Sequence, residues 1–220
     1  MKLRNFEFDK DFAQVFRIWQ EVGWLSDEKR NEEALKYFVK AGQGKVAIIN
    51  NNVEGYVNST PGYYQYLDQE LDLQAVTAVT ISRVARKQSI ASKATAKIIA
   101  EAAEEGVHIS ALGMFEQGFY NKLGYGTGSY EHFISFDPAH LNIKGEAPIP
   151  ERIKVEDYQE VHQAKLNRKK RHGYCTLLPP EITRGEMLFG QKEPFGLGYR
   201  NKNGNINHHI WVYPNEELHG

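Results

Sequence analysis

The chain has 220 residues, a formal net charge of -1, 41% hydrophobic and 25% charged residues, the profile expected of a soluble globular protein with one full domain and room for a smaller second unit. There is no run of about 20 apolar residues to span a bilayer and no net field to gather nucleic acid, so neither a membrane nor a nucleic-acid partner is expected. Cys175 is the only cysteine, which excludes an intrachain disulfide framework and a multi-thiolate metal site, and charges break every apolar stretch of MKLRNFEFDKDF, so no metal is expected and the cytoplasm is the expected address.

Phe12, Val15, Phe16, Trp19 and Val22 recur at helical spacing over residues 9–22, with Asp9 placed to cap and Gly23 to stop the helix. A second helix over 27–41 carries Leu35 and Phe38 on one side, entered from Ser26 or Asp27 and left at Gly42. KVAIINNNVEGYVNS puts two β-rich runs around Asn50, Asn51 and Asn52, residues that tolerate the left-handed geometry of a tight hairpin. PGYYQYLDQE (61–70) reads as a loop, and LDLQAVTAVTIS after it as a largely buried strand. From Ile90 to Glu105 the row Ile90, Ala94, Ile98 and Ala102 predicts the best helix of the chain, stopped at Gly106. VHISALGM then reads as a short strand, EQGFYNKLGYG as a brief helix with a glycine turn, and SYEHFISF as another strand. Strand, helix, strand is a parallel crossover unit.

Around 137–150 the composition shifts to Pro and Gly, predicting a domain over 1–137, a linker over 138–150 and a second unit over 151–220. The second unit should hold a helix near 155–167, a Pro-rich turn at Pro179 and Pro180, and a hairpin turning at Asn203-Gly204. This order of helix and hairpin echoes the first unit. The basic run Arg168 to His172 reads as a solvated helix end, without the interleaved aromatics that stack nucleic-acid bases. His208 and His209 are adjacent in a strand and so point to opposite faces, which argues against a shared metal.

Between Val76 and Ala94 a buried strand passes through a basic loop into a helix N-terminus. The first amides of a helix lack internal partners and the dipole adds positive potential, so this is a place for a diphosphate, with Arg86 and Lys87 supplying charge and Ser89 and Ala91 allowing close approach. The VTAVTI strand, the R-x-x-S-x-A loop (Arg86, Ser89, Ala91) and the FYNKLGYG turn together resemble the GNAT acetyltransferase superfamily and, more narrowly, the Eis family. Members of that family show a V-T-A-V-x-V strand, a basic R-R-x-G loop and an I-Y-x-R-F-G-Y-G turn. The resemblance covers about residues 5–136 as a first GNAT domain and 150–213 as the start of a second.

It implies an α/β fold (α+β, mixed sheet) of the GNAT acyl-CoA N-acyltransferase type with a partial second GNAT-like unit. Acetyl-CoA would be the co-substrate, and its acetyl group would pass directly to an amine. Val79, Thr80 and Ile81 would pair with pantetheine, while Arg86, Lys87 and the amides of Gln88, Ser89, Ile90 and Ala91 would hold the diphosphate. Tyr120 would protonate the leaving thiolate as general acid. Glu116 and His108 are candidates for the base. Trp19, Trp24, Tyr63, Tyr64 and Tyr66 are candidates for an aromatic acceptor wall, and Asp68, Glu70 and Asp72 could draw in a cationic small-molecule or peptide amine such as a polyamine, aminoglycoside or lysine. The family's loop carries glycine where Ser89 stands, so an acyl-CoA-binding or regulatory protein without turnover is the alternative. Eis-type proteins also carry a sterol-carrier-like domain whose terminal carboxylate reaches the active site, and Gly220 is not assigned that role. An unpaired sheet edge in the second unit would favour a homo-oligomer.

Overall fold

The computed structural model describes residues 1–26, 28–113, 116–128, 132–142, 144–146, 148–189 and 193–214. Strand β1 (Lys2–Asn5) leads into α1 (Phe8–Glu21), and Arg4 grips the buried Asp11 of that helix with two hydrogen bonds of 2.6 Å. Asp11 also accepts the Glu7 amide, so it does the work expected of Asp9, which lies within the first turn. At the other end Gly23, at φ 81°, closes the helix: its amide donates to Gln20 and that of Trp24 to Trp19, a Schellman stop whose hydrophobic contact is the Trp19–Trp24 pair, with ring centroids 5.0 Å apart. That stop sets both tryptophans side by side.

Helix α2 (Lys29–Lys40) ends at Ala41. Gly42 lacks the left-handed backbone of a glycine stop and is instead jammed against β3 (Asn52–Tyr66), where an added Cβ would sit 2.1 Å from the Ser59 carbonyl oxygen. β2 (Gln43–Ile49) and β3 form the expected hairpin, with Asn50 and Asn51 at φ 49° and 65°. β3 then runs on through Pro61 to Tyr66 and turns at Leu67 and Asp68 into β4 (Gln69–Ile81), so residues 61–70, expected as a loop, form the far half of a long hairpin. The tyrosines of this stretch suit a strand, and Pro61 falls in a gap: β2 leaves the β3 edge at Ser59 and β7 (Cys175–Leu177) takes up the same edge from Gly62, so no partner strand needs the missing N–H.

The main sheet has the order β1-β2-β3-β4-β5, with β5 (Ile109–Ala111) parallel to β4. Helices α1 and α2 cover one face through Val15, Ile18, Leu35 and Val39 against Val46 and Tyr56. On the other face α3 (Ile90–Glu104) lays Ala94 and Ile98 on Val57 and Val76. His132–Phe136, part of an expected strand, form no strand in the structure and expose Phe133, Ile134 and Phe136, while Ser129–Glu131 lie outside the described residues.

The later half begins at β6 (Glu151–Ile153) and α5 (Tyr158–Leu166), then sends β7 back to the main sheet. The Pro179–Pro180 turn is in fact the start of α6 (Pro180–Leu188), because proline at the first helical position loses no hydrogen bond. α6 packs on α2, and β8 (Phe195–Arg200) with β9 (Ile206–Val212) completes a small sheet β6-β8-β9 over Ile153, Val161 and Met187. The basic run leaves the end of α5 with Arg168, Lys169 and Arg171 exposed, and its later residues make contacts besides. Lys170 pairs with Glu70, His172 accepts the Leu67 amide, and Gly173 donates to Gln65, so it clasps the tip of the β3–β4 hairpin.

Candidate active site

The site begins with one extra residue in β4. Asn58 faces Ala78 and Ser59 faces Val76, so Thr77 is the unpaired residue of a β-bulge. Its hydroxyl is held 3.2 Å from Asn58 Nδ2 and 3.2 Å from Thr60 Oγ1. The parallel pairing of β4 with β5 covers only Leu73 to Ala75 and stops just before this bulge. Beyond it the two strands part, leaving the β5-facing edge of Val76–Ile81 without a strand partner among the described residues. Val79, Thr80 and Ile81 lie along that edge.

Two adjoining cavities fill the gap. The larger, about 640 Å³, is walled by Trp19, Trp24, Phe38, Phe189, Thr77 and Val79. The smaller, about 310 Å³, is bounded by Thr80, Ile81, Arg86, Ala91, Glu116 and Phe119. Trp24, Val79 and Tyr120 border both, so Tyr120 stands where they meet.

At the outer end of the small cavity is the start of α3. Lys87 and Ser89 are at φ 61° and 58°, so the serine adopts the left-handed backbone that favours glycine. The amides of Ile90, Ala91 and Ser92 donate to no described protein group, as the first turn of a helix requires unless something else accepts from them. Arg86, Lys87, Gln88 and Ser89 are exposed around them. Free amides, a guanidinium and a helix dipole fit a diphosphate, and the unpaired β4 edge fits the amides of a pantetheine arm.

Tyr120 belongs to the short helix α4 (Gln117–Asn121) and is buried. The turn behind it, with Gly124 at φ 91°, folds the Leu123 and Tyr125 amides onto the Tyr120 carbonyl, and the Tyr125 hydroxyl bonds Ser110 of β5 at 2.6 Å. Phe119 packs edge-on to Tyr120 at 4.9 Å. Burial, helped by Tyr125, raises the Tyr120 phenol above its ordinary value, so it holds its proton throughout the neutral range.

Of the other candidates, Glu116 stands exposed at the α4 N-cap beside Tyr120. His108 is at the opposite end of β5, 3.8 Å from Asp72, and borders neither cavity. Trp19 and Trp24 line the large cavity. Tyr64 does not: it packs against His172 at the hairpin tip with Tyr66, because the stretch that carries it is strand rather than a loop folded over the site. The far wall of the large cavity comes instead from Cys175, Leu177, Ile182, Glu186 and Phe189. Pro180 followed by Ile182, Gly185, Leu188 and Phe189 at helical spacing is the sequence signal for that wall. Among the described residues no cluster of His, Cys, Asp or Glu is placed to hold a metal, and no helix is long and apolar enough to cross a membrane.

A mixed sheet whose parallel strands part beside a helix N-terminus is the architecture of the GNAT acyltransferases. The chain belongs to that family: the acetyltransferase (GNAT) domain model matches residues 2–128. No curated protein matches the chain. Among solved structures, a probable N-acyltransferase from Enterococcus faecalis V583 is similar over 98% of this chain and 55% of its own, at 13% identity and a TM-score of 0.67. This chain thus spans about half the length of that protein. A transcriptional regulator from Bacillus halodurans C-125 is similar over 61% of this chain and 99% of its own, at 20% identity and a TM-score of 0.50. The aminoglycoside N-acetyltransferase AAC(6')-Iy, in complex with CoA, is similar over 61% and 93% respectively, at 10% identity and a TM-score of 0.50. At such identities these likenesses concern the fold.

Proposed function

We propose that the chain is an acetyl-CoA-dependent N-acetyltransferase acting on a primary amine, Eis-like in subtype and cytoplasmic, with a GNAT domain over 1–137, a linker over 138–150 and a partial second GNAT-like unit over 151–220. The observation that carries it is Tyr120 at the junction of two cavities, one ending at free helix amides and the other walled by aromatic rings. Val79, Thr80 and Ile81 orient the donor along the open β4 edge, and Arg86, Lys87, Gln88, Ser89, Ile90 and Ala91 hold its diphosphate. Trp19 and Trp24 bound the acceptor. When bound, acetyl-CoA supplies an acetyl group activated as a thioester. The amine nitrogen bonds to the acetyl carbon as the carbon–sulfur bond breaks, and the sulfur keeps the electron pair and takes the Tyr120 proton. The proton lost from nitrogen passes to water or to Glu116, and Tyr120 regains its own from solvent.

The expected result is acceptor-dependent release of free CoA, lowered about 10²- to 10⁴-fold in kcat by Tyr120→Phe with the melting temperature unchanged. Stabilisation by acetyl-CoA without CoA release from any amine would identify an acyl-CoA-binding protein instead. Loss of both would remove the donor assignment.

A further inference from the structure

We propose, resting on the acetyl-transfer reading, that the acceptor is a monoamine on an apolar body, aryl or alkyl, and not a polycation. The large cavity presents Trp24, Phe38, Phe189, Leu177, Ile182 and Val76 to whatever fills it, and its volume of about 640 Å³ suits a small molecule. Glu186 is the only carboxylate on its described lining, and it is already paired with Lys165 at 2.7 Å. The acids expected to attract a cation are elsewhere: Asp68 is in the hairpin turn, Glu70 pairs with Lys170 and Asp72 faces His108.

Charge beyond the wall points the same way. Cys175, Leu177, Ile182 and Glu186 separate the large cavity from a neighbouring one of about 570 Å³, which is bordered by Lys165 and Arg168. Lys165 is paired with Glu186, and Arg168 behind the wall adds positive potential that disfavours a second ammonium. The reacting amine must give up its charge to attack, so a neutral amine enters the apolar cavity without a counter-ion. Each further ammonium of a polycation would be desolvated with no free carboxylate to receive it.

The test compares kcat/KM by CoA release, with acetyl-CoA as donor, for 2-phenylethylamine and butylamine against spermidine and kanamycin. 2-Phenylethylamine should exceed both polycations by about 10- to 100-fold, the factor that burial of a phenyl-sized group brings. Equal or better turnover of the polycations overturns the proposal. So does a flat amine panel in which octanoyl-CoA displaces acetyl-CoA, which would assign the cavity to the acyl chain. Cys175→Asp, which adds a carboxylate to the wall at an exposed position, should move the ratio of 2-phenylethylamine to cadaverine about tenfold toward the diamine, provided its melting temperature matches the parent. An unchanged ratio in that folded variant counts against the proposal. If acetyl-CoA neither stabilises the protein nor is cleaved with any amine, the acetyl-transfer reading itself falls, whereas stabilisation and turnover without apolar preference sink only the acceptor assignment.

Discussion

The loop before α3 shows how much one side chain matters. Ser89 sits at φ 58°, where a residue with a Cβ is strained by roughly 1 kcal/mol, and the backbone nevertheless takes the turn that leaves the following amides open. Ser89 therefore keeps the shape that glycine would give at a small loss of stability. Ser89→Gly is expected to retain CoA release and to leave stability equal or higher by up to about 1 kcal/mol in a urea titration, since strain relief is partly offset by the greater freedom of unfolded glycine. Arg86 is exposed at the border of the smaller cavity, and in the proposed diphosphate role it would contact donor and transition state alike. Arg86→Ala should raise KM for acetyl-CoA several-fold with kcat nearly unchanged in steady-state assays. A fall in kcat of the same size would place Arg86 nearer the chemistry than the proposed diphosphate role does.

At the scale of elements, the wall made by β7 and α6 is pinned from behind by His162 of α5. Its ring lies 2.8 Å from the Leu178 carbonyl and 3.0 Å from the Thr183 hydroxyl, so Nε2–H donates to the carbonyl and Nδ1 accepts from the hydroxyl. Burial lowers the His162 pKa below its ordinary 6.5, opposed by the Leu178 carbonyl and assisted by Lys165. The neutral ring is thus the folded one. Its contribution is complete above pH 6.5 and declines as acidification drives protonation of the unfolded chain first and then of the folded one. The melting temperature should fall between about pH 7 and pH 5, and His162→Gln should flatten that slope in thermal melts. This wall was the least legible part of the site. Its proline-rich entry resembles a turn unless the helical spacing after Pro180 is followed, and its pairing with β3 depends on a contact more than a hundred residues away in sequence. Pro61-Gly62 misleads for a related reason. Gly62 admits the approaching β7 strand, where an added Cβ would lie 2.3 Å from the Thr176 carbonyl oxygen, so both residues are explained by a partner that local pattern cannot reveal. Where the governing forces are local, the reading holds: Asn50-Asn51 at the hairpin, Gly23 at the end of α1 and the apolar row of α3 all stand where spacing and backbone preference put them.

For the whole molecule the question is whether the two halves fold as one. Composition divides the chain near residues 138–150, yet strong links cross that boundary. β7 hydrogen-bonds to β3, and α6 packs on α2 so closely that a Cβ on Gly185 would lie 3.3 Å from the Ala34 carbonyl oxygen. Arg184 sits over Tyr37 at 4.5 Å and Tyr158 at 5.1 Å while bonding Glu33 at 3.2 Å, which ties α6 to an element of each half. The large cavity needs both, since Trp19 and Trp24 come from the first and Cys175, Ile182 and Phe189 from the second. Separate unfolding would expose the apolar faces of α2 and α6 and strip β7 from its edge, so an intermediate with one half open is costly. Hydrogen exchange read by mass spectrometry should therefore give the same opening free energy for core amides of β3 and of β8, matching the global value from denaturant unfolding. Gly185→Leu forces the α2–α6 contact apart at a cost of about 1–3 kcal/mol and should lower both values together. It should also weaken acceptor turnover through Phe38, which lies beside Gly185 and lines the cavity. If β8 opens at a lower free energy than β3 in the parent protein, the halves are thermodynamically independent, and the wall closing the large cavity is a docked neighbour rather than part of one cooperative unit.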